Sequence, residues 1–321
     1  MIRRGPHSVV TAALGILGIL SAVGCGAGTK ADAPTAPPPT TTTPTSPAVP
    51  LPIADWVEGI DGQIPLVIIA PHGGDLTPTS LPDRVCSGCV TGNDLNTQVL
   101  ARAISDAFSG RIGKRPFLVI NRLHRRKFDA NRDLQEATAG YAPLAPMWSQ
   151  FQAAIDSAKA RAQRLHPRGL VIDLHGHGHV IQRLELGYLL SASELRLSDA
   201  AVTPLLATSS VAQLSRVALS RDSGAVLLRG PRSLGSRFSA LGIPAVPSDA
   251  DPAPLAGHDY FNGGFNTVRH GSLVASPFDA IQIESHYTGL RDTEANRAGF
   301  AEVFVTALLA YLRDHYGWVP A

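Results

Sequence analysis

Pro65-Leu66-Val67-Ile68-Ile69-Ala70 is a continuously apolar run that breaks at once into Pro71-His72-Gly73-Gly74-Asp75. A short run with no polar alternation suits a strand buried on both faces, as in a parallel sheet covered by helices. The flanking chain repeats the theme. Leu95, Val99, Ala103, Ile104, Ala107 and Phe108 recur at helical spacing, and Gly110 is expected to stop that helix. Phe117 to Ile120 predicts a second buried strand, and Met147, Phe151, Ile155, Ala158, Ala162 and Leu165 a long amphipathic helix. Further strands are expected at Leu170 to Leu174, Leu186 to Leu190, Ile243 to Val246 and Ile281 to Ile283, before a closing helix from Thr293 to Tyr311. Such alternation implies a three-layer α/β/α domain around a mostly parallel, mixed sheet. In sheets of that kind ligands gather beyond the carboxyl ends of the strands.

Four polar clusters sit where that rule expects a site. The first is Pro71 to Asp75. His72 and Asp75, three residues apart on a glycine turn, can converge on one metal ion. The second is Asp173-Leu174-His175-Gly176-His177-Gly178-His179. His175 is the first polar residue beyond the end of its strand and is the preferred third ligand, with His177 lining the site or orienting substrate. A solvated histidine-rich loop is the alternative. The third is Asn121-Arg122 with Asp129-Ala130-Asn131-Arg132, cations and amides suited to an anionic substrate group. An arginine there can also polarise a scissile carbonyl. Arg125, Arg126 and Lys127 read as surface residues. The fourth is Gln282-Ile283-Glu284-Ser285-His286, where Glu284 ends a strand and can take a proton from metal-bound water.

The ordered set His-x-x-Asp, Arg, Asn-Arg, His, Glu resembles the zinc carboxypeptidase superfamily, most closely its N-formylglutamate amidohydrolase branch. The Pro71-His72-Gly73-Gly74 turn, the Asp129-Ala130-Asn131-Arg132 segment and the stretch from Tyr260 to Thr267 with Arg269-His270-Gly271 carry the likeness, which runs from about Pro65 to the C-terminus. The carboxypeptidases place Glu where this chain has Asp75. The resemblance implies Zn2+ on His72, Asp75 and His175, with Glu284 as general base and Arg122 stabilising the oxyanion. It implies that Asn131, Arg132 and Arg269 hold a substrate carboxylate. The expected reaction is hydrolysis of an amide in an N-acyl amino acid or small peptide. A non-catalytic envelope lipoprotein that keeps the fold as a binding module is the competing expectation.

The N-terminus points to export. Arg3 and Arg4 precede a short apolar stretch from Val9 to Leu20, and Ala22-Val23-Gly24-Cys25 resembles a bacterial lipobox. Residues 1–24 therefore read as a lipoprotein signal peptide and Cys25 as a lipidation site, in a bacterial cell envelope, with ordinary secretion as the alternative. Residues 25–52 are rich in Pro and Thr and read as a tether. Residues 53–321 remain as the catalytic domain. Membrane attachment is expected through the lipid alone. The formal charge of +2 and aromatic content of 6%, with no basic run, give no footing for nucleic acid. Cys86 and Cys89 read as a small structural disulfide, since a zinc knuckle would need two more soft ligands nearby. The chain contains no Gly-x-Ser-x-Gly elbow, and no His is followed by Glu, which excludes the motifs of α/β-hydrolase serine enzymes and of His-Glu-x-x-His metalloproteases. His179, His258 and His286 receive no role from the sequence.

Overall fold

The computed structural model describes residues 55–217, 222–274 and 276–321. The signal peptide, Cys25 and the tether lie outside the described residues. Seven strands form one mixed sheet: β1 (Val57–Ile60), β2 (Leu66–Ala70), β3 (Phe117–Asn121), β4 (Gly169–Gly176), β5 (Leu184–Gly187), β6 (Ala245–Val246) and β7 (Phe278–Ser285). Their spatial order is β1-β3-β2-β4-β7-β5-β6. The central four, β3, β2, β4 and β7, are parallel. β1 joins β3 antiparallel and β5 joins β7 antiparallel, with β6 alongside β5.

The uninterrupted apolar runs are explained by which face each residue serves. In β2, Leu66, Ile68 and Ala70 enter one core while Val67 and Ile69 enter the other. The alternation holds in β4, with Leu170, Ile172 and Leu174 opposed to Val171. The first core lies under α1 (Thr97–Ile112) and the C-terminal helix Glu294–Tyr311, through Leu100, Ile104, Phe108, Phe300, Phe304 and Leu308. The second lies under the long helix Ala145–Leu165, through Met147, Phe151, Ile155 and Ala162. Three layers follow, because each central strand must bury both of its faces.

Helix α1 runs through Gly110, a tolerated loss of roughly 1 kcal/mol. It stops instead at Gly113, whose φ of +67° lets its N–H return to the Ser109 carbonyl at 3.0 Å. The antiparallel edge strand β1 escaped the sequence reading, being only four residues with no continuous apolar run.

The polar end of the sheet obeys the same parity. Asp173 and His175 continue the Val171 face of β4, and Gln282 and Glu284 continue the Ala280 face of β7. The register pairs Asp173 with Gln282 and His175 with Glu284. Glu185 of β5 pairs across from Glu284 on the other side. Polar side chains therefore collect on one face at the carboxyl ends of the parallel strands.

At the opposite face Asp279 is buried under Tyr316. Its oxygens accept from Ser272 Oγ at 2.6 Å, Leu214 N–H at 3.1 Å and Tyr316 OH at 3.0 Å. Burial dominates those donors and pushes its carboxyl up from 3.8 to about 6. Between these values the unfolded chain ionises and the folded chain does not, so this residue costs stability as pH rises through the window. A displacement from 3.8 to about 6 is worth roughly 3 kcal/mol. Denaturant titrations of Asp279→Asn against wild type should show the difference moving in the variant's favour by up to that amount between about pH 4 and 7. A difference that stays constant with pH would refute the assignment.

Candidate metal centre and active-site cavity

A cavity of about 390 Å³ opens at the carboxyl ends of β2, β4 and β7. His72 follows β2, His175 closes β4, and Glu284 lies near the end of β7. Asp94 completes the group from the loop before α1, held there by its own N–H on the His72 carbonyl at 3.2 Å and by Thr97 Oγ1 on its carbonyl at 2.9 Å.

Asp94 Oδ2 stands 3.3 Å from His72 Nδ1 and 3.0 Å from His175 Nδ1. Each ring is held from behind by a second carboxylate. His72 Nε2 lies 2.6 Å from Asp129 Oδ1, and His175 Nε2 lies 3.0 Å from Asp173 Oδ1. On His72 a proton on Nε2, toward Asp129, leaves the Nδ1 lone pair turned toward Asp94, and His175 presents its own Nδ1 to the same oxygen. His72 Nδ1 is buried and has no hydrogen-bond partner. An orphaned, buried lone pair is costly unless a cation takes it. His72, Asp94 and His175 thus fit a small divalent cation, with their ligand atoms within 4.8 Å of one another.

Charge around the group is dense. Burial would raise Asp94, but the neighbouring His72 and then His175 hold it well below the usual carboxylate range. Asp129 is likewise held low against its burial, by His72 and then by Arg125 and Arg132. Arg125 Nε lies 3.0 Å from Asp129, and its Nη1 lies 3.5 Å from Asp94. Burial would lower His175, but Asp173 and Asp94 raise it well above the usual imidazole range. Glu284 is 5% exposed and accepts one bond from Gln282 Nε2 at 3.0 Å. Burial pushes its carboxyl up to about 8, against the His175 charge and helped by Asp94, Glu185 and Asp173.

Several residues stand elsewhere than the sequence suggested. Asp75 is exposed and takes no part in the cluster; Asp94 holds that position. The reason is steric. A Cβ on Gly74 would lie 2.3 Å from the Arg122 carbonyl carbon, so the turn threads against that backbone. Leu76 then bridges to β3's extension through Arg122 O and His124 N, and Asp75 is left facing solvent. Arg122 points the other way from its neighbour. Asn121 donates inward to the Pro71 carbonyl at 2.8 Å, while the Arg122 guanidinium donates to the Asp55 carbonyl and does not line the cavity. Arg269 packs over Trp148 and pairs with Asp156 at 3.3 Å, also outside the cavity lining.

Arg132, His177 and Glu284 do line the cavity, as does His179. Asn131 lines it with its amide engaged: Oδ1 accepts the Asn266 N–H at 2.8 Å, and Nδ2 sits 3.2 Å from His175 Nε2. Arg125 and Lys127 are buried, and only Arg126 of that run is a surface residue. Asn93-Asp94-Leu95-Asn96 carried no signal beyond a polar lead-in to a helix. Cys86 and Cys89 are joined as a disulfide, with Arg84 Nη2 3.6 Å from Cys89 Sγ.

No family model matches the sequence, and no curated protein matches it. Among solved structures, gene product Atu2144 from Agrobacterium tumefaciens is 16% identical over 79% of this chain and 94% of its own, with a TM-score of 0.47. The N-formylglutamate amidohydrolase from Ralstonia eutropha JMP134 is 14% identical over 81% and 97%, also at 0.47. The N-acetylmuramyl-L-alanine amidase Ami1 from Mycobacterium smegmatis is 15% identical over 77% and 96%, at 0.28. Likenesses at this level leave the chemistry to rest on the chain's own residues.

Zinc offered to the purified protein should separate the two aspartates. Asp94→Ala should hold one ion fewer per chain than wild type by elemental analysis, while Asp75→Ala should match wild type. Loss with Asp75→Ala and retention with Asp94→Ala would reverse the assignment.

Proposed function

We propose that the protein is a metal-dependent amide hydrolase acting on an N-acyl amino acid or small peptide with a free carboxylate. The observation that carries the reading is the meeting of three buried ligand atoms, on His72, Asp94 and His175, beside the buried carboxyl of Glu284 in one cavity. His72, Asp94 and His175 would hold a zinc ion, which would supply Lewis acidity for an amide carbonyl and for water near neutral pH.

The chain's own groups do the rest. Asp129 behind His72 and Asp173 behind His175 orient the two imidazoles with Nδ1 toward Asp94. Glu284 is the proton carrier: its buried carboxyl lines the same cavity as the three ligand atoms, where it would accept a proton from water and return it to the leaving nitrogen. Arg132 lies at the half-exposed rim, and its acidic partner is the exposed Glu136 at 3.4 Å, so its guanidinium can exchange that contact for a substrate carboxylate. Arg125 is already held by Asp94 and Asp129, and it keeps those carboxylates in place. Arg125 also lines the cavity wall, as Arg122 does not, and could take the oxyanion-stabilising role that the resemblance implied for Arg122.

The N-terminal sequence extends the proposal to the cell envelope: cleavage before Cys25, lipidation of its thiol, and a tether to residue 52 would hold the enzyme at a membrane surface.

Amine release from a panel of N-acyl amino acids and γ-glutamyl peptides tests the reading. Zinc-loaded wild type should turn over at least one class. Glu284→Gln should lower kcat by about 10²-fold or more with zinc content unchanged, and Arg132→Ala should act chiefly on KM. Binding of these compounds without turnover by zinc-loaded wild type would establish a binding module in the enzyme's place.

A further inference from the structure

Two of the three histidines in His175-Gly176-His177-Gly178-His179 are left over from the cluster above, and both line the cavity. We propose that His177 and His179, together with Glu185, form a second site for a transition-metal ion of the zinc class on the wall of the same cavity. The proposal concerns binding alone and stands whether or not the cavity hydrolyses amides.

Glu185 carries the argument. It is fully buried, and among the described residues its ion-pair partner is His179, whose Nδ1 lies 2.9 Å from Oε1. Its other oxygen takes the Phe261 N–H at 2.8 Å. Arg183, two residues before Glu185 on the same segment, pairs with Asp251 at 2.9 Å. Glu185 also faces Glu284 across the β5–β7 pairing, so two buried carboxylates share one face. A buried carboxyl group held by one imidazole and one backbone N–H has acceptor capacity left over, which a bound cation would take.

The two histidines are set up to supply ligands. His177 is 4% exposed, and its Nε2 donates to the Arg183 carbonyl at 2.8 Å. That bond fixes the tautomer and leaves the Nδ1 lone pair, the same device that orients metal-binding imidazoles elsewhere. The His179 N–H leans on this lone pair at 3.1 Å, a contact that a cation would replace. The His179 ring is stacked on Phe261 at 4.6 Å between centroids and 17° between planes. Phe261 therefore clamps both the ring and the carboxylate that faces it. One ligand atom from each of the three side chains falls within 4.8 Å of the others, as in the first cluster.

Two imidazoles and one carboxylate favour zinc and its neighbours over calcium or magnesium, which prefer oxygen ligands. Three protein ligands would leave a zinc-class ion able to take a further ligand such as water. A second cation there would give substrate oxygens another anchor beside Arg132.

The test is metal stoichiometry. Chelator-stripped protein is equilibrated with zinc, dialysed, and its metal content measured per chain, with circular dichroism and melting as controls for folding. Wild type should hold about two ions. His179→Gln and Glu185→Gln should each hold about one, as should His72→Ala, and His72→Ala with His179→Gln about none. Wild type holding a single ion that His179→Gln leaves in place would overturn the proposal and reduce the group to a hydrogen-bonded pair. If the buried Glu185→Gln fails to fold, the partly exposed His179→Gln carries the test alone. Should wild type hold a single ion that His72→Ala keeps and His179→Gln loses, this site stands and the reading of the first cluster falls. Cobalt titration of wild type, followed by visible absorption, should saturate in two steps instead of one.

Discussion

Two imidazole nitrogens, one from the end of β2 and one from the end of β4, meet the same oxygen of a buried aspartate on a third segment. Carboxylate charge at this depth is tolerable only where it is matched, and the surroundings of Asp94 read as successive layers of matching. Asp129 and Asp173 stand behind the imidazoles, and Arg125 and Arg84 stand behind Asp129. Removing one member leaves the next without its counter-charge. The loops that carry these residues are thereby fixed in place by electrostatics as much as by packing.

The sheet explains why this layered charge lies where it does. A strand side chain alternates between two faces, so parallel strands ending at one edge of the sheet deliver their last polar residues to one face or the other. Here the face toward the helix Ala145–Leu165 receives Asp173, His175, Gln282 and Glu284. The opposite face stays apolar to the top through Leu174 and Ile283. Asp279 occupies that apolar face nearer the base of β7, where burial raises its carboxyl without any tie to the cavity.

The fold was legible because its signal is local: apolar runs of strand length, helical spacing, and few exceptions. The central parallel strands and the three long helices follow from it. The site was legible in part. His72, His175 and Glu284 each follow directly from an apolar run, so strand periodicity alone brings them to the carboxyl end. Asp75 and Arg122 looked equivalent in sequence and were not, because the side a loop residue faces depends on contacts made far away in the chain. The Gly74 turn lies close against Arg122's backbone and Leu76 is bridged to Arg122 and His124, with Asp75 left exposed between them. Asp94 was invisible for the complementary reason. Nothing near it in sequence marks it as a ligand, and only the path of the loop from Thr77 to Asn96 delivers it. Arg125 was misread as a surface residue because charge predicts exposure until a buried carboxylate such as Asp129 claims it.

One arginine shows how three separate segments keep their positions without a ligand to gather them. Arg291 is 2% exposed, and its guanidinium donates to the Leu95 carbonyl, to the Ser285 carbonyl at 3.2 Å and to the His177 carbonyl at 3.4 Å. Those carbonyls adjoin Asp94, Glu284 and the loop of His177 and His179. A Cβ at Gly176 would fall 2.2 Å from the guanidinium carbon, so the close approach needs glycine at that step. A lysine could not replace the arginine, since one ammonium cannot span carbonyls on three chain segments in a fixed plane. The backbone that carries the acidic and imidazole groups is therefore pinned by a cation that touches none of their side chains, and both histidine clusters inherit their spacing from it.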